Sequence, residues 1–362
     1  MSCSVYHIFP YFSPERDALK ERLAAEGIQT LCHYPVPIHR QPCFDGLFGA
    51  LDFPEAERIA REELSLPLSP TMTEEDILTV CRHIKGEATD RTAVPYLDLK
   101  AVNARYADEL SAAAKCVVES GWYVNGSECK AFEEEFAGYC ADKSGLMALH
   151  CVGCANGLDA LTLILLALKQ RHGWTADCEV IVPAMTFVAT AQAVIRAGLT
   201  LRLADVTPDG LLDPMSAAMA ITDKTVALLP VHLYGQRADM EALADLAQIH
   251  GLILIQDAAQ AHGQPLDAAH ADIYAAFSFY PGKNLGALGD GGAVVTDDEA
   301  LARDVRRLAN YGCSEKYHHE VPEAFNSRLD ELQAALLRVK LRHLDEDNAR
   351  RAALAKIYEE TL

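Results

Sequence analysis

Apolar runs of strand length alternate with stretches of helical period along most of this chain, and that alternation is the pattern of a parallel sheet wrapped by helices. The runs occupy residues 180–182, 201–205, 226–231, 252–255, 275–280 and 293–295, with helical patterns such as 240–250 between them. A mainly parallel, doubly wound α/β sheet with right-handed crossovers is therefore expected. Upstream the pattern changes. Residues 5–9 read as a strand, and Ser13-Pro14-Glu15 starts a helix with the serine as cap and the proline in its first turn. Gly27 stops that helix; Thr73-Glu74-Glu75-Asp76 opens another that ends near Gly86, and one long helical pattern covers residues 330–360.

A chain of 362 residues, half of them hydrophobic, can build more than one layer of core, and its length suggests about two domains. No secretory leader or membrane-spanning run is read, and eleven cysteines without framework spacing read as reduced thiols. Both point to a cytoplasmic enzyme. A net charge of −20 argues against nucleic acid, which needs basic surface. An anionic small substrate would have to meet basic residues locally, with Arg40, Lys316 and Arg328 as candidates.

Candidate chemistry begins at Ser278-Phe279-Tyr280-Pro281-Gly282-Lys283, where one amine follows an apolar strand and sits among glycines. A partly desolvated lysine supplies the free amine that a Schiff base requires. Asp257 ends the apolar run 252–255 followed by Gln256, the place where open α/β sheets bind ligands. Lysine and aspartate together are the protein's half of pyridoxal 5'-phosphate chemistry, since the carboxylate holds the proton on the pyridine nitrogen. The turn Cys151-Val152-Gly153-Cys154-Ala155-Asn156-Gly157-Leu158 runs from an apolar segment into a helix, so its N–H groups face an anion such as the cofactor phosphate. Its Cys151-x-x-Cys154 spacing has no second cysteine pair to complete a zinc site, and no metal is expected.

On these segments, residues from about 94 to 362 resemble the large domain of the DegT-like nucleotide-sugar aminotransferases. The resemblance implies a fold-type I pyridoxal-phosphate transferase: a large domain with a mainly parallel sheet plus a smaller α+β domain. It implies that Phe187 stacks on the cofactor ring, that Ser278, Asn156, Gly157 and Leu158 lie at its phosphate, and that Gln260 lies near its phenolic oxygen. Asn326, in Phe325-Asn326-Ser327-Arg328, resembles the asparagine that reaches the neighbouring subunit's phosphate, which implies a homodimer with shared sites.

The order of the pieces departs from the family. Residues 1–86 resemble the family's carboxyl-terminal small domain, including the loop His33-Tyr34-Pro35-Val36-Pro37-Ile38-His39-Arg40, yet here they come first. The chain reads as a circular permutant, with residues 87–93 tethering the old termini and a short connecting piece missing between Leu362 and Met1. A fusion of two neighbouring genes explains the order equally. Which large domain the small domain packs on differs between the two histories.

The resemblance implies amination of a dTDP-3-oxo-6-deoxyhexose to the 3-amino-3,6-dideoxy sugar with L-glutamate as donor, position 4 being the alternative. Lys283 and Asp257 are the catalytic pair, and His33, Tyr34, His39, Lys316, His318 and His319 are the candidate substrate contacts. His232 reads as easily as a core histidine. A dehydratase of the family would carry histidine where Lys283 stands. A regulatory protein would show damaged cofactor positions, whereas these are intact, and a fusion remnant could keep every motif without closing its site.

Overall fold

The computed structural model describes residues 4–49, 51–87, 93–266, 272–315 and 317–362. Strands His150–Cys154, Gly292–Thr296, Tyr274–Ser278 and Gln256–Asp257 lie side by side in that order, and Thr200–Ala204, Glu179–Pro183, Thr225–Leu228 and Ile253–Leu254 form a second group. The two groups are one surface. Ile253–Leu254 and Gln256–Asp257 are separated only by Ile255, whose N–H donates to Leu228 O, while the Asp257 N–H donates to Pro230 O. Among the described residues of this sheet only Gly292–Thr296 runs antiparallel to its neighbours; the other pairings are parallel, as the alternation predicts.

Alternate residues of each strand feed opposite faces. Val152, Ala276 and Val294 pack with the helix Gly157–His172, which is buried on almost every side from Asp159 to Leu168. Cys151, Ala275, Phe277 and Val295 pack on the other face with Phe132, Phe136, Ala334 and Leu337, from helices Ser127–Ser144 and Glu331–Leu341.

The first 86 residues form a smaller α+β layer. Phe9–Phe12 pairs antiparallel with Glu63–Leu66, and helices Arg16–Ala25 and Glu74–Lys85 cover the pair. Thr73 and Asp76 exchange the reciprocal bonds of a capping box, and Gly86 ends the second helix in the left-handed conformation. This layer does not close by itself. Leu354, Ala355 and Tyr358 of the last helix, Leu344–Thr361, share its core with Leu23, Ile28, Leu64, Leu66, Ile77 and Val80. Its other flank, with Ile38, Phe44, Phe53 and Ile59, belongs to the core of the large sheet.

Three expectations change. Residues 5–8 are not a strand of the small layer: the Val5 and Ile8 N–H groups donate to Gly235 O and Tyr234 O, and Tyr6 has φ 44, so the strand begins only at Phe9. Ser13 does not cap the first helix; its hydroxyl accepts from Glu15 N, and the helix starts at Arg16. The long pattern 330–360 is two helices broken at Arg342 and His343, where the His343 ring stacks on Tyr106 at 4.2 Å. Most of the tether 87–93 lies outside the described residues, but Val94 bridges Ile28 in parallel.

Because the last helix closes the core of the first 86 residues, Leu354→Ala is expected to destabilise the whole chain by roughly 2–5 kcal/mol. Urea unfolding checks this. A single transition shifted by that amount is the predicted result, and a loss below about 1 kcal/mol would separate the two layers.

Candidate active site

Asp257 ends its strand buried, at 5 % exposure, and both carboxylate oxygens have donors. Thr190 Oγ1 donates to Oδ2 at 2.8 Å, and the Ala259 N–H donates to Oδ1 at 3.1 Å. Burial raises its pKa; the two hydrogen bonds and the charge of Lys283 oppose that rise. Lys283 sits in a turn after Tyr274–Ser278, closed by its own N–H on Tyr280 O. Burial lowers its amine from the ordinary 10.5 to about 8, with the Asp257 carboxylate opposing. Among the described residues the amine makes no hydrogen bond, so it is desolvated and uncommitted.

Beside this pair the helix Gly157–His172 begins. Asn156 Oδ1 accepts from Asp159 N at 2.9 Å as its cap. A Cβ at Gly157 would lie 2.7 Å from Ser278 Cβ, and one at Gly292 would lie 2.4 Å from the Asn156 backbone. Glycine at both positions lets the helix start press against the strand that leads to Lys283. Leu158 is half-buried against the large core. Phe187, just before helix Val188–Arg196, keeps 54 % of its surface exposed, unusual for a phenylalanine beside a buried carboxylate pocket.

The first 86 residues supply the opposite wall. The Tyr34 ring lies 5.4 Å from that of Phe187, and its hydroxyl accepts from Gln260 Nε2 at 3.1 Å. Gln260 Oε1 in turn accepts the Tyr234 N–H at 2.6 Å, and the Tyr234 hydroxyl donates to His33 O at 2.5 Å. The His33 ring packs near both Tyr34 and Tyr96, and the charge of Lys283 reaches it. Ring contacts, hydrogen bonds and the charges of Asp257 and Lys283 thus tie His33, Tyr34, Phe187 and Gln260 to that buried pair, and Ser278 ends the strand that leads to Lys283.

Other predicted residues lie elsewhere. His39 is buried against Phe53 with Nε2 3.0 Å from Glu57 Oε1, so its ring is part of the packing and not of the pocket. Glu57 also takes Arg40. His318 and His319 are exposed on a short hairpin, with His319 Nδ1 3.1 Å from Tyr311 O; Lys316 lies outside the described residues. Asn326 is exposed and bridges Asn310, and Arg328 donates to Asn310 Oδ1, on the rim of a groove of about 840 Å³ apart from Lys283. His232 is a satisfied core histidine between Gln256 and the Ala238 N–H.

Sequence reasoning passed over Thr190, Tyr234, Tyr96, Glu63 and Ser65. Thr190 had a signal: Thr186 lies one turn before it and their hydroxyls meet at 2.9 Å, a pair that orients the donor to Asp257. The others act across long sequence separations.

The pocket fits pyridoxal 5'-phosphate on its own features. It offers a free desolvated amine, a buried carboxylate fixed by two donors, an open aromatic face and a helix start pressed against Ser278.

With a folded value near 8 and an unfolded value near 10.5, Lys283 binds more protons unfolded between those pH values, so its contribution to stability rises with pH across that window. Labelling of Lys283 by an amine-reactive electrophile in cofactor-free protein is expected to rise with a midpoint near pH 8. Asp257→Asn removes the charge that supports the ammonium, and the midpoint is expected to fall further. Peptide mapping reads both; a midpoint near 10.5 would mean the amine is solvated.

Known proteins resemble much of this chain. The chain matches the sequence profile described as the DegT/DnrJ/EryC1/StrS aminotransferase family over residues 2–85 and 105–362. The erythromycin biosynthesis sensory transduction protein EryC1 of Saccharopolyspora erythraea is 52% identical over 279 residues, 74% of this chain and 72% of that relative. The dTDP-3-amino-3,4,6-trideoxy-alpha-D-glucose transaminase of Streptomyces venezuelae is 49% identical over 269 residues, 73% of this chain and 68% of the relative. The solved structure of NtdA from Bacillus subtilis with bound cofactor PMP aligns with a TM-score of 0.65 at 30% identity, over 71% of this chain and 58% of that one. The chain belongs to the DegT/DnrJ/EryC1/StrS family of pyridoxal-phosphate-dependent aminotransferases.

Proposed function

We propose that the protein transfers an amino group from L-glutamate to a dTDP-3-oxo-6-deoxyhexose, giving the dTDP-3-amino-3,6-dideoxy sugar. The observation that carries this reading is the desolvated Lys283 amine beside buried Asp257, in a chain whose relatives include a dTDP-3-amino-sugar transaminase. When bound, pyridoxal phosphate supplies an electrophilic carbonyl and an electron sink. Lys283 would hold it, and as a free amine would carry a proton, for which a value near 8 is suited. Asp257, its proton affinity raised by burial, would hold the ring N–H; Thr190 and the Ala259 N–H fix the orientation of the carboxylate. Gly157, Asn156, Leu158 and Ser278 would take the phosphate end, Phe187 and Tyr34 would flank the ring, and Gln260 orients Tyr34.

In the same reading the first 86 residues are the family's small domain placed first, packed on their own large domain. The family profile matches in two stretches, and the Tyr6 hydroxyl donates to Glu359 in the last helix, which supports that order. A homodimer is part of the proposal. Asn326 and Arg328 lie away from Lys283, and the adjoining segment exposes Val118, Trp122, Tyr123 and Val124, an apolar surface suited to a second copy. Among the described residues no helix is long and apolar enough to cross a membrane, and we place the activity in the cytoplasm.

Purified protein given pyridoxal phosphate, L-glutamate and the dTDP-3-oxo sugar is expected to yield the 3-amino sugar by mass spectrometry. Asp257→Asn should slow turnover by roughly 10²–10⁴-fold. Deleting residues 1–86 should abolish it, because His33 and Tyr34 leave the pocket wall. Product from the 4-oxo isomer alone would move the aminated position, and full-rate turnover by the truncated chain would exclude the small layer from the site.

A further inference from the structure

Strand Glu63–Leu66 is buried at all four residues, yet it carries two polar side chains, Glu63 and Ser65. Side chains two apart on a strand project from the same face. The strand is flanked by Phe9–Phe12 on one side and by a bridge from Leu31 to Ser65 on the other, which brings the His33 loop over that face. Three short contacts follow in series. The Glu63 carboxylate accepts the His33 N–H through Oε2 at 2.6 Å and the Ser65 hydroxyl through Oε1 at 2.5 Å. Ser65 Oγ lies 2.6 Å from His33 Nδ1. A hydroxyl has one proton, and here Glu63 takes it, so Ser65 must accept from the imidazole. His33 therefore carries its hydrogen on Nδ1 and leaves Nε2 as an acceptor.

We propose that His33, Ser65 and Glu63 form a proton relay for the Lys283 pocket, in which His33 Nε2 exchanges protons with the substrate and Glu63 stores them. This rests on the reading of that pocket as the reaction centre. The transfer balances. One proton taken up at Nε2 sends the Nδ1 proton to Ser65 Oγ and the Ser65 proton to Glu63 Oε1. The imidazole ends neutral as its other tautomer, and the carboxylate ends as a neutral carboxyl. Reversal returns the proton.

The electrostatics favour storage at Glu63 and disfavour it on the ring. Burial raises Glu63 to about 7, against its hydrogen bonds from Ser65 and His33 and the charges of Arg16 and Lys20. Burial and then Lys283 lower His33 to about 4, so the imidazolium is a transit state only. Titratable groups facing the relay among the described residues include His7, which burial keeps neutral, and Tyr34, Tyr96 and Tyr234, whose hydroxyls burial pushes up out of the working range; the Tyr96 hydroxyl also hydrogen-bonds Ser65. Glu63 and Ser65 are positioning residues, acting on the substrate only through His33.

Nitrogen NMR of the full-length protein labelled at histidine tests this, with His33→Gln identifying the His33 signal among 13 histidines. The Nδ1–H tautomer is expected above about pH 7 and the Nε2–H tautomer below it. In Glu63→Gln the exchange of tautomers should vanish, and kcat should fall roughly 10²-fold, the low end for acid–base groups, with KM little changed. Ser65→Thr keeps a hydroxyl and should keep the exchange, whereas Ser65→Ala should lose it. A tautomer independent of pH in the wild type, or an exchange that persists in Glu63→Gln, overturns the relay. The tautomer is read without substrate, so inactivity on dTDP sugars would sink the substrate reading and leave this result standing.

Discussion

Desolvation of one amine organises this molecule. Lys283 sits on a turn where no described residue accepts its hydrogens, and the opposite charge that supports it is Asp257 on the neighbouring strand. Both positions follow from the sheet. Gln256–Asp257 and Tyr274–Ser278 are parallel partners, so their carboxyl ends lie side by side and place the acid and the lysine turn at one edge. Gly157 and Gly292 then let the start of a buried helix approach that same edge, where side chains would collide.

The first 86 residues depend on the same edge. Val5 and Ile8 spend their N–H groups on Gly235 and Tyr234, the segment that follows the strand next to Asp257. That docking sets the distance at which Tyr34 meets Gln260 and His33 meets the Tyr234 hydroxyl. The last helix holds the layer from behind, with the Tyr358 hydroxyl on Pro67 O and Arg351 on Leu68 O. A layer placed first in sequence is thus built into the fold from both ends of the chain.

Much of this was legible in local pattern. The strand alternation, the helix 240–250 and the helix start at Thr73 depend on a few neighbouring residues, and Asp257 and Lys283 were paired by the chemistry that a lysine and an acid at strand ends can share. What was not legible depends on separation. Gln260 and Tyr34 are 226 positions apart, and no period or motif couples them. His33 and His39 occupy one loop and look alike in sequence, yet one faces the pocket and the other packs on Phe53. Residues 5–8 have strand composition, but their hydrogen bonds go to a partner that only the tertiary fold supplies.

The central claim is that Lys283 is the amine that holds the cofactor. Reducing the protein with borohydride in the presence of pyridoxal phosphate and mapping its peptides by mass spectrometry tests this directly. The predicted result is one stoichiometric pyridoxyl group on the peptide that contains Lys283. A label spread over surface lysines, or absent from Lys283, would contradict it.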